Sequence, residues 1–476
     1  MGVRLLRLHV KTAGLVHIGN GQSYGKKDYF ARGGKIAVLD VHRFVSKLSP
    51  SQITRYCDFL SGNVGESRLQ GFLDRKENTD LSKVAQSSIL YQIDSPIATA
   101  RRGSIQYHDV QQFIKDPCGK PYIPGSSIKG MLRTALLVNM LLDDAELRKS
   151  VDTGFLTRKD MAVSGNADIK LDKTAFWRER PDYSDPNLVN DIMRYVSVSD
   201  SEPLSVGDLV FAKKFDKFSK SDPVDHKLDM GKLTVMDGNE LDVYRECLRP
   251  GTTVTVDVSV DERIDPYFSS LTPDACGLAK MLQRSFDLYS RRFLCHFDLG
   301  EADGGSSAQQ SADGRCQYIY TSGPLMGMRC RNKAVDGMGF CNTHKGKAEQ
   351  TPAVAEAVCY LGGGVDYLSK TVTSALCAND DEALDVVSHV LYEQFPTKVN
   401  RAIRPELERA VRRAGFDPRP FDERRFGPAG RNRQTKNDHR HWRDAEIGVS
   451  PHTMKWGIVG EKCYPMGKCS ISIEEL

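Results

Sequence analysis

The sequence predicts an α+β fold, on three observations. Short β-rich runs recur along the chain, amphipathic segments lie between them, and two polar stretches set off one small insertion. Residues 3–10 and 35–41 alternate or run apolar with β-branched residues, and GNGQSYG and ARGG punctuate them, so strands joined by loops are expected. Residues 50–75 and 131–149 carry apolar positions three and four apart, the pattern of amphipathic helices. Next come MRYVSVSD, DLVFAKKF, KLTVMDG and TTVTVDVSV as short strands, then a helix near 272–292. The polar stretches EADGGSSAQQSADG (301–314) and KGKAEQT (345–351) bracket the insertion. From residue 353 a helical run leads into LGGGVDYLSK, a basic stretch follows at 401–443, and KWGIVGE and CSISIEEL read as closing strands. The expected divisions are 1–150, 151–300, the insertion 301–350, and 351–476.

A chain of 476 residues suggests two to four compact units. Lys plus Arg total 66 against 62 Asp plus Glu, a net charge of +4, so any surface for a polyanion must be local. With 40% apolar and 27% charged residues the composition is that of a soluble globular protein. No window approaches 18 uninterrupted apolar residues, and Arg4, Arg7, His9 and Lys11 interrupt the first apolar stretch, so neither a membrane span nor a signal peptide is expected. The cytoplasm is the expected compartment, with no membrane partner. Twelve cysteines, most of them isolated, are few for a disulfide scaffold and suit buried thiols or a metal site.

Four motifs can carry chemistry. In YIPGSSIKGMLRTAL, Pro124 and Gly125 end an extended segment and Ser126 or Ser127 can cap the helix that follows, whose free N–H groups suit an anion. Lys129 and Arg133, four apart, share a face and can meet successive phosphates; a capped helix with two solvated cations is the plainer reading. Gly362, Gly363 and Gly364 open a loop running to Lys370 that nearly spells a phosphate-binding P-loop, but Ser369 stands where that motif needs glycine. A tight turn before a helix is its alternative. Cys316, Cys330, Cys341 and His344, spaced Cx13Cx10CxxH, suit tetrahedral zinc, and an insertion of this size has too little core to fold without a staple. Four protein ligands leave no open position, so the zinc is expected to be structural; Cys295, His296 and Cys359 are the possible substitutes. Finally, residues 401–443 hold 13 Lys/Arg against 6 Asp/Glu, with Phe421, Phe426 and Trp442 among Arg424, Arg425, Arg431 and Arg433. That mixture allows base stacking beside phosphate contacts, although a solvated helix face would look the same. His17 can serve as a general base or pack beside a turn, and packing is the expected role.

PYIPGSSIKGMLRTAL closely resembles the signature of RAMP-superfamily proteins in CRISPR type III complexes. With GLVHIGNG, SDSEPLS, YRECLRPGTTVTVDV, LGGGVDYLSKT and YPMGKCSISIEE, the chain resembles the family of fifth subunits of the type III-A (Csm) effector, across most of its length outside 301–350. The resemblance implies tandem ferredoxin-like (RRM-like) domains that bind the 3′-proximal part of the guide crRNA and cap the backbone filament. It also implies target RNA reached through the guide, a neighbouring Csm backbone RAMP subunit and the small helical subunit as partners, host 3′ exonucleases that mature the crRNA, and a role in antiviral defence. It assigns the chain no catalytic residue. In that family the glycine-rich loop approaches RNA backbone, with Lys370 as its phosphate contact. The zinc insertion departs from the family pattern. Two rivals remain: a RAMP endoribonuclease cutting precursor crRNA or target RNA, with Asp109 or Asp116 as the residue to test, and a zinc-dependent protein adaptor.

Overall fold

The computed structural model describes residues 2–95, 108–150, 175–177, 190–221, 238–268, 272–299, 355–363, 372–394, 409, 412, 444–460 and 462–476. The chain divides into a body, Met1–Asp298 with Glu356–Leu476, and a unit spanning Leu299–Ala355, which lies outside the described residues apart from its two ends. The zinc ligands expected at 316–344 therefore lie outside them too.

The body is built on two sheets. The first strand, β1 (Val3–Thr12), buries Leu6, Leu8 and Val10 on one side and turns Leu5, Arg7 and His9 the other way, the period of two that a half-buried strand requires. It pairs antiparallel with β10 (Thr253–Asp261) and with β14 (Lys468–Glu475), and β10 pairs with β7 (Val196–Val198). A fifth strand, β11 (Ala355–Tyr360), flanks β14, so the order is β11-β14-β1-β10-β7. Two long helices, Gly125–Asp143 and Ala275–Arg292, pack on one another. The first lies between β1 and β7 in the chain, and the second between β10 and β14. Without β11, this is the β-α-β-β-α-β arrangement of a ferredoxin-like unit, assembled from residues more than 400 apart.

The second sheet has nine strands. Its path runs β2 (Gly19–Tyr24), β6 (Val110–Phe113), β9 (Gly238–Leu248), β8 (Leu209–Phe218), β5 (Ile89–Asp94), β4 (Lys35–Leu39) and β3 (Tyr29–Arg32). A hairpin of β12 (Thr453–Val459) and β13 (Lys462–Pro465) joins it through β8. Four helices, α1 (Val41–Val45), α2 (Pro50–Leu60), α3 (Leu69–Leu73) and α4 (Thr79–Gln86), close over β3 and β4 around Phe44, Tyr56, Phe59 and Phe72. The Ser49 hydroxyl and Gln52 form a reciprocal cap at the start of α2. The signature helix Gly125–Asp143 is α5, Ala145–Ser150 is α6, and Ala275–Arg292 is α7.

Two elements depart from the sequence reading, and a third is not described. The helix expected over 50–75 breaks into α2 and α3, because Gly62 and Gly65 take positive φ (+81° and +67°) in the intervening turn. The run after 353 is strand β11 and no helix: Ala357 and Cys359 are buried while their neighbours are not, and pairing with β14 outweighs the helical preference of an Ala- and Glu-rich segment. KLTVMDG lies outside the described residues except for Gly238, where β9 begins. The division of the chain at 150 and 300 is crossed by both sheets, since β1, β10 and β14 belong to one and β5, β8 and β12 to the other. Among the described residues no helix is long and apolar enough to cross a membrane.

Candidate RNA-binding face

Helix α5 begins against the end of β7. A methyl group on Gly125 would overlap the carbonyl oxygen of Val198 and lie 2.7 Å from that of Ser199, so only glycine lets the helix start so close to this strand. The stretch 199–205 braces that start. Ser201 takes the Ile123 N–H on its hydroxyl at 2.9 Å and donates its own N–H to the Ile123 carbonyl, while Leu204 N–H donates to Pro121. Asp200 accepts the Gly125 N–H at 2.7 Å.

This corrects the expected cap. Pro124 occupies the N-cap position and neither Ser126 nor Ser127 caps the helix; the Asp200 carboxylate, 75 residues away, takes the first N–H. The two hydroxyls are thereby left for a ligand, Ser126 exposed and Ser127 half-buried, and neither makes a side-chain hydrogen bond among the described residues. One turn on, Lys129 is half-buried without an ion pair among the described residues, and burial, with Arg133 nearby, holds its pKa below the ordinary lysine value against the pull of Asp191. Arg133 is engaged otherwise: its guanidinium bonds Asp191 at 2.7 Å and lies 3.9 Å over the Phe176 ring.

The glycine-rich loop starts where β11 ends. Leu361 N–H donates to Gly467 and Gly363 N–H to the His17 carbonyl, at 2.7 and 2.9 Å. Gly362 has φ +76°, and a side chain there would overlap the His17 carbonyl, so the chain can turn this tightly against residues 15–18 only with glycine. Gly364 and Lys370 lie outside the described residues, as do Arg424, Arg425, Arg431 and Arg433. Gly362 and Ser127 line the same groove, so the structure brings the two sequence motifs together.

Behind the glycine turn stands a group of cations that sequence reasoning missed. A β-carbon on Gly363 would lie 3.5 Å from the Arg245 guanidinium, which Gln111 holds at 2.7 Å. Lys214 faces the same neighbourhood: burial, then the charges of Lys455 and Arg245, push it down to about 8, and Asp216, which pairs with Lys455 at 2.9 Å, only partly offsets them. The signal was the alternation of AKKF and YRECL, which sends Lys214 and Arg245 to one side of the sheet, but it needs the register Ala212↔Arg245 to be read.

Adjacent Glu246 points the other way into a buried polar knot. Its carboxylate accepts from Tyr91 Oη at 2.7 Å, Phe113 N–H at 2.9 Å and Lys115 Nζ at 2.5 Å, and its carbonyl bonds His17 Nδ1 at 2.8 Å. Burial, with Arg245 and Lys115 nearby, lowers His17 to about 4, so it stays neutral near pH 7 and packs edge-on against Phe113. Packing, the role expected for it, is the one observed. Asp116 accepts the Lys120 N–H at 2.8 Å in a turn, and Asp109 is exposed. Cys359 is buried beside Cys469 in the first sheet. Among the described residues no three His, Cys, Asp or Glu side chains group as metal ligands. Hydroxyls, a glycine backbone and cations are donors for successive phosphate oxygens.

The first sheet and the two helices packed with it define a ferredoxin-like α+β protein. A family model of the RAMP superfamily matches residues 9–300, and the chain belongs to that superfamily. It is similar to proteins named CRISPR system Cms protein Csm5. That of Mycobacterium tuberculosis (strain ATCC 25618 / H37Rv) is 26% identical over 478 residues, covering 98% of this chain and 96% of the relative. That of Streptococcus thermophilus is 24% identical over 307 residues, 62% of this chain and 73% of its own. Among solved structures, one chain of the cryo-EM structure of a Csm-crRNA-target RNA ternary complex of a type III-A CRISPR-Cas system shares the fold, with TM-score 0.52, 16% identity, and coverage of 98% of this chain and 100% of that one.

Proposed function

We propose that this chain is the crRNA-binding RAMP subunit that caps the backbone filament of a type III-A Csm effector. It holds the 3′-proximal part of the guide and positions RNA without cutting it. The observation that carries the reading is the meeting of the signature helix and the glycine turn on one groove, with Lys129 on the helix and Arg245 and Lys214 behind the turn. The relatives named above support the type III-A assignment. The guide crRNA, target RNA paired to it, the neighbouring backbone RAMP subunit and the small helical subunit are the partners in this reading, and host 3′ exonucleases trim the guide beyond the cap.

The test is a pull-down of the assembled complex with Lys129→Glu and Lys214→Glu. Each reversal of a charged contact should weaken guide retention about tenfold or more. Normal guide recovery with both changes would overturn the placement of the RNA. Cleavage of target RNA by the complex should survive Asp109→Ala and Asp116→Ala; its loss would make the chain a nuclease. We also propose that Cys316, Cys330, Cys341 and His344 hold one structural zinc. Metal analysis of the purified chain should find one zinc per chain, lost with Cys330→Ser.

A further inference from the structure

Phosphate contacts leave unexplained the groove shared by α5, α7 and β11. It has a volume of about 220 Å³ and is open on one side. That is below the range of about 300–1,000 Å³ typical of sites for drug-sized ligands, and suits a single planar ring system. Its walls are apolar and aromatic: Met131 on α5, Phe286 on α7 and Tyr360 at the end of β11, all half-buried, with the Phe286 and Tyr360 rings nearly parallel at 6.3 Å. Gly130 forms a gap in one wall, where a β-carbon would meet nothing within 4 Å. Ser285, 7% exposed, lines the groove, and its hydroxyl has no hydrogen-bond partner among the described residues. Open to the groove, that hydroxyl can donate to or accept from the polar edge of a ligand.

We propose that this groove receives one unstacked nucleobase of the bound RNA. The proposal rests on the reading that RNA backbone runs past Ser127 and Gly362, both of which line the groove. A nucleotide whose phosphate meets these two residues brings its base to the groove that Met131, Phe286 and Tyr360 also line. Aromatic faces hold bases of any sequence, and a polar edge adds hydrogen bonding, which is how unstacked RNA bases are commonly held. A protein side chain from a neighbouring subunit is the competing occupant. The continuity of the groove with the phosphate donors, and the Ser285 hydroxyl at its wall, favour the base.

The test uses the complete complex assembled on synthetic guide RNAs carrying 4-thiouridine at single 3′-proximal positions. On irradiation, one position should cross-link to the peptide containing Phe286 or Tyr360. In Gly130→Leu, which fills the gap and improves a helix interior, that cross-link should vanish, with guide affinity about tenfold lower and its salt dependence unchanged. Phe286→Leu, which keeps the apolar bulk but removes the ring, should weaken the same cross-link. Cross-links to Lys129 or the glycine turn with none in the groove would overturn the proposal and leave the RNA-binding reading standing. A cross-link unaffected by Gly130→Leu, or cross-links from every 3′-proximal position to other subunits alone, would also overturn it. A complex without guide RNA would overturn both.

Discussion

Lys214 shows how a single residue reports on the site. Its neighbours press it toward the neutral form, and a phosphate placed among Lys214, Arg245 and Gly363 would reverse that pressure. RNA binding should therefore take up a proton, and guide affinity should fall as pH rises from about 7 to about 9; Lys214→Arg, which stays charged, should flatten the profile. His17 answers in the opposite range. Its folded pKa of about 4 lies below the ordinary 6.5, so the unfolded chain binds more protons between those values and stability falls as pH drops through them. The full loss amounts to about 3 kcal/mol, and His17→Asn, which keeps a donor for the Glu246 carbonyl, should abolish this slope in urea unfolding at pH 4 to 7. Arg133 is a further case. Arg133→Ala should lower thermal stability, because it removes the ion pair of Asp191 and uncovers Phe176, and should do so in the absence of RNA. In the sequence Lys129 and Arg133 look equivalent; the ion pair that separates them comes from a residue 58 positions away.

At the scale of elements, α5 is aimed by its start. Gly125→Ala should force the helix off β7 and cost about 1–3 kcal/mol, read as a lower melting temperature together with reduced guide retention. The helix itself was legible, since its apolar spacing and Pro-Gly boundary are local. Its cap was not: Ser126 and Ser127 satisfy every local rule, and Asp200 prevails only because β7 brings it to Gly125. The segment of β11 reads as helix for the same reason, because alanine and glutamate carry a local helical preference while β14, which decides the matter, lies more than 100 residues on. The two glycine-bearing motifs were recognised separately. That they face one groove follows from packing α5, α7 and β11 together, which no spacing within either motif encodes.

For the whole molecule, a net charge of +4 cannot attract RNA by itself, so binding should depend on the local donors and weaken steeply with salt while varying little with guide sequence. Filter binding at increasing salt checks this, and a flat dependence would mean that apolar contacts dominate. The α+β class was legible because strands and helices advertise their own periods. The interleaving of the sheets was not, because pairings such as Leu6↔Glu475 leave no trace in any short window.

That pairing sets an order of events during synthesis. β1 leaves the ribosome more than 400 residues ahead of β14, one of its two neighbours, and Leu361, which anchors the glycine turn, is itself held by Gly467. Contacts this distant in sequence form slowly. A nascent chain halted before β14 would display an unpaired sheet edge and lack the anchor of the glycine turn. The face proposed to bind RNA is thus completed late, and prematurely stopped chains should be passed over when complexes form around the guide.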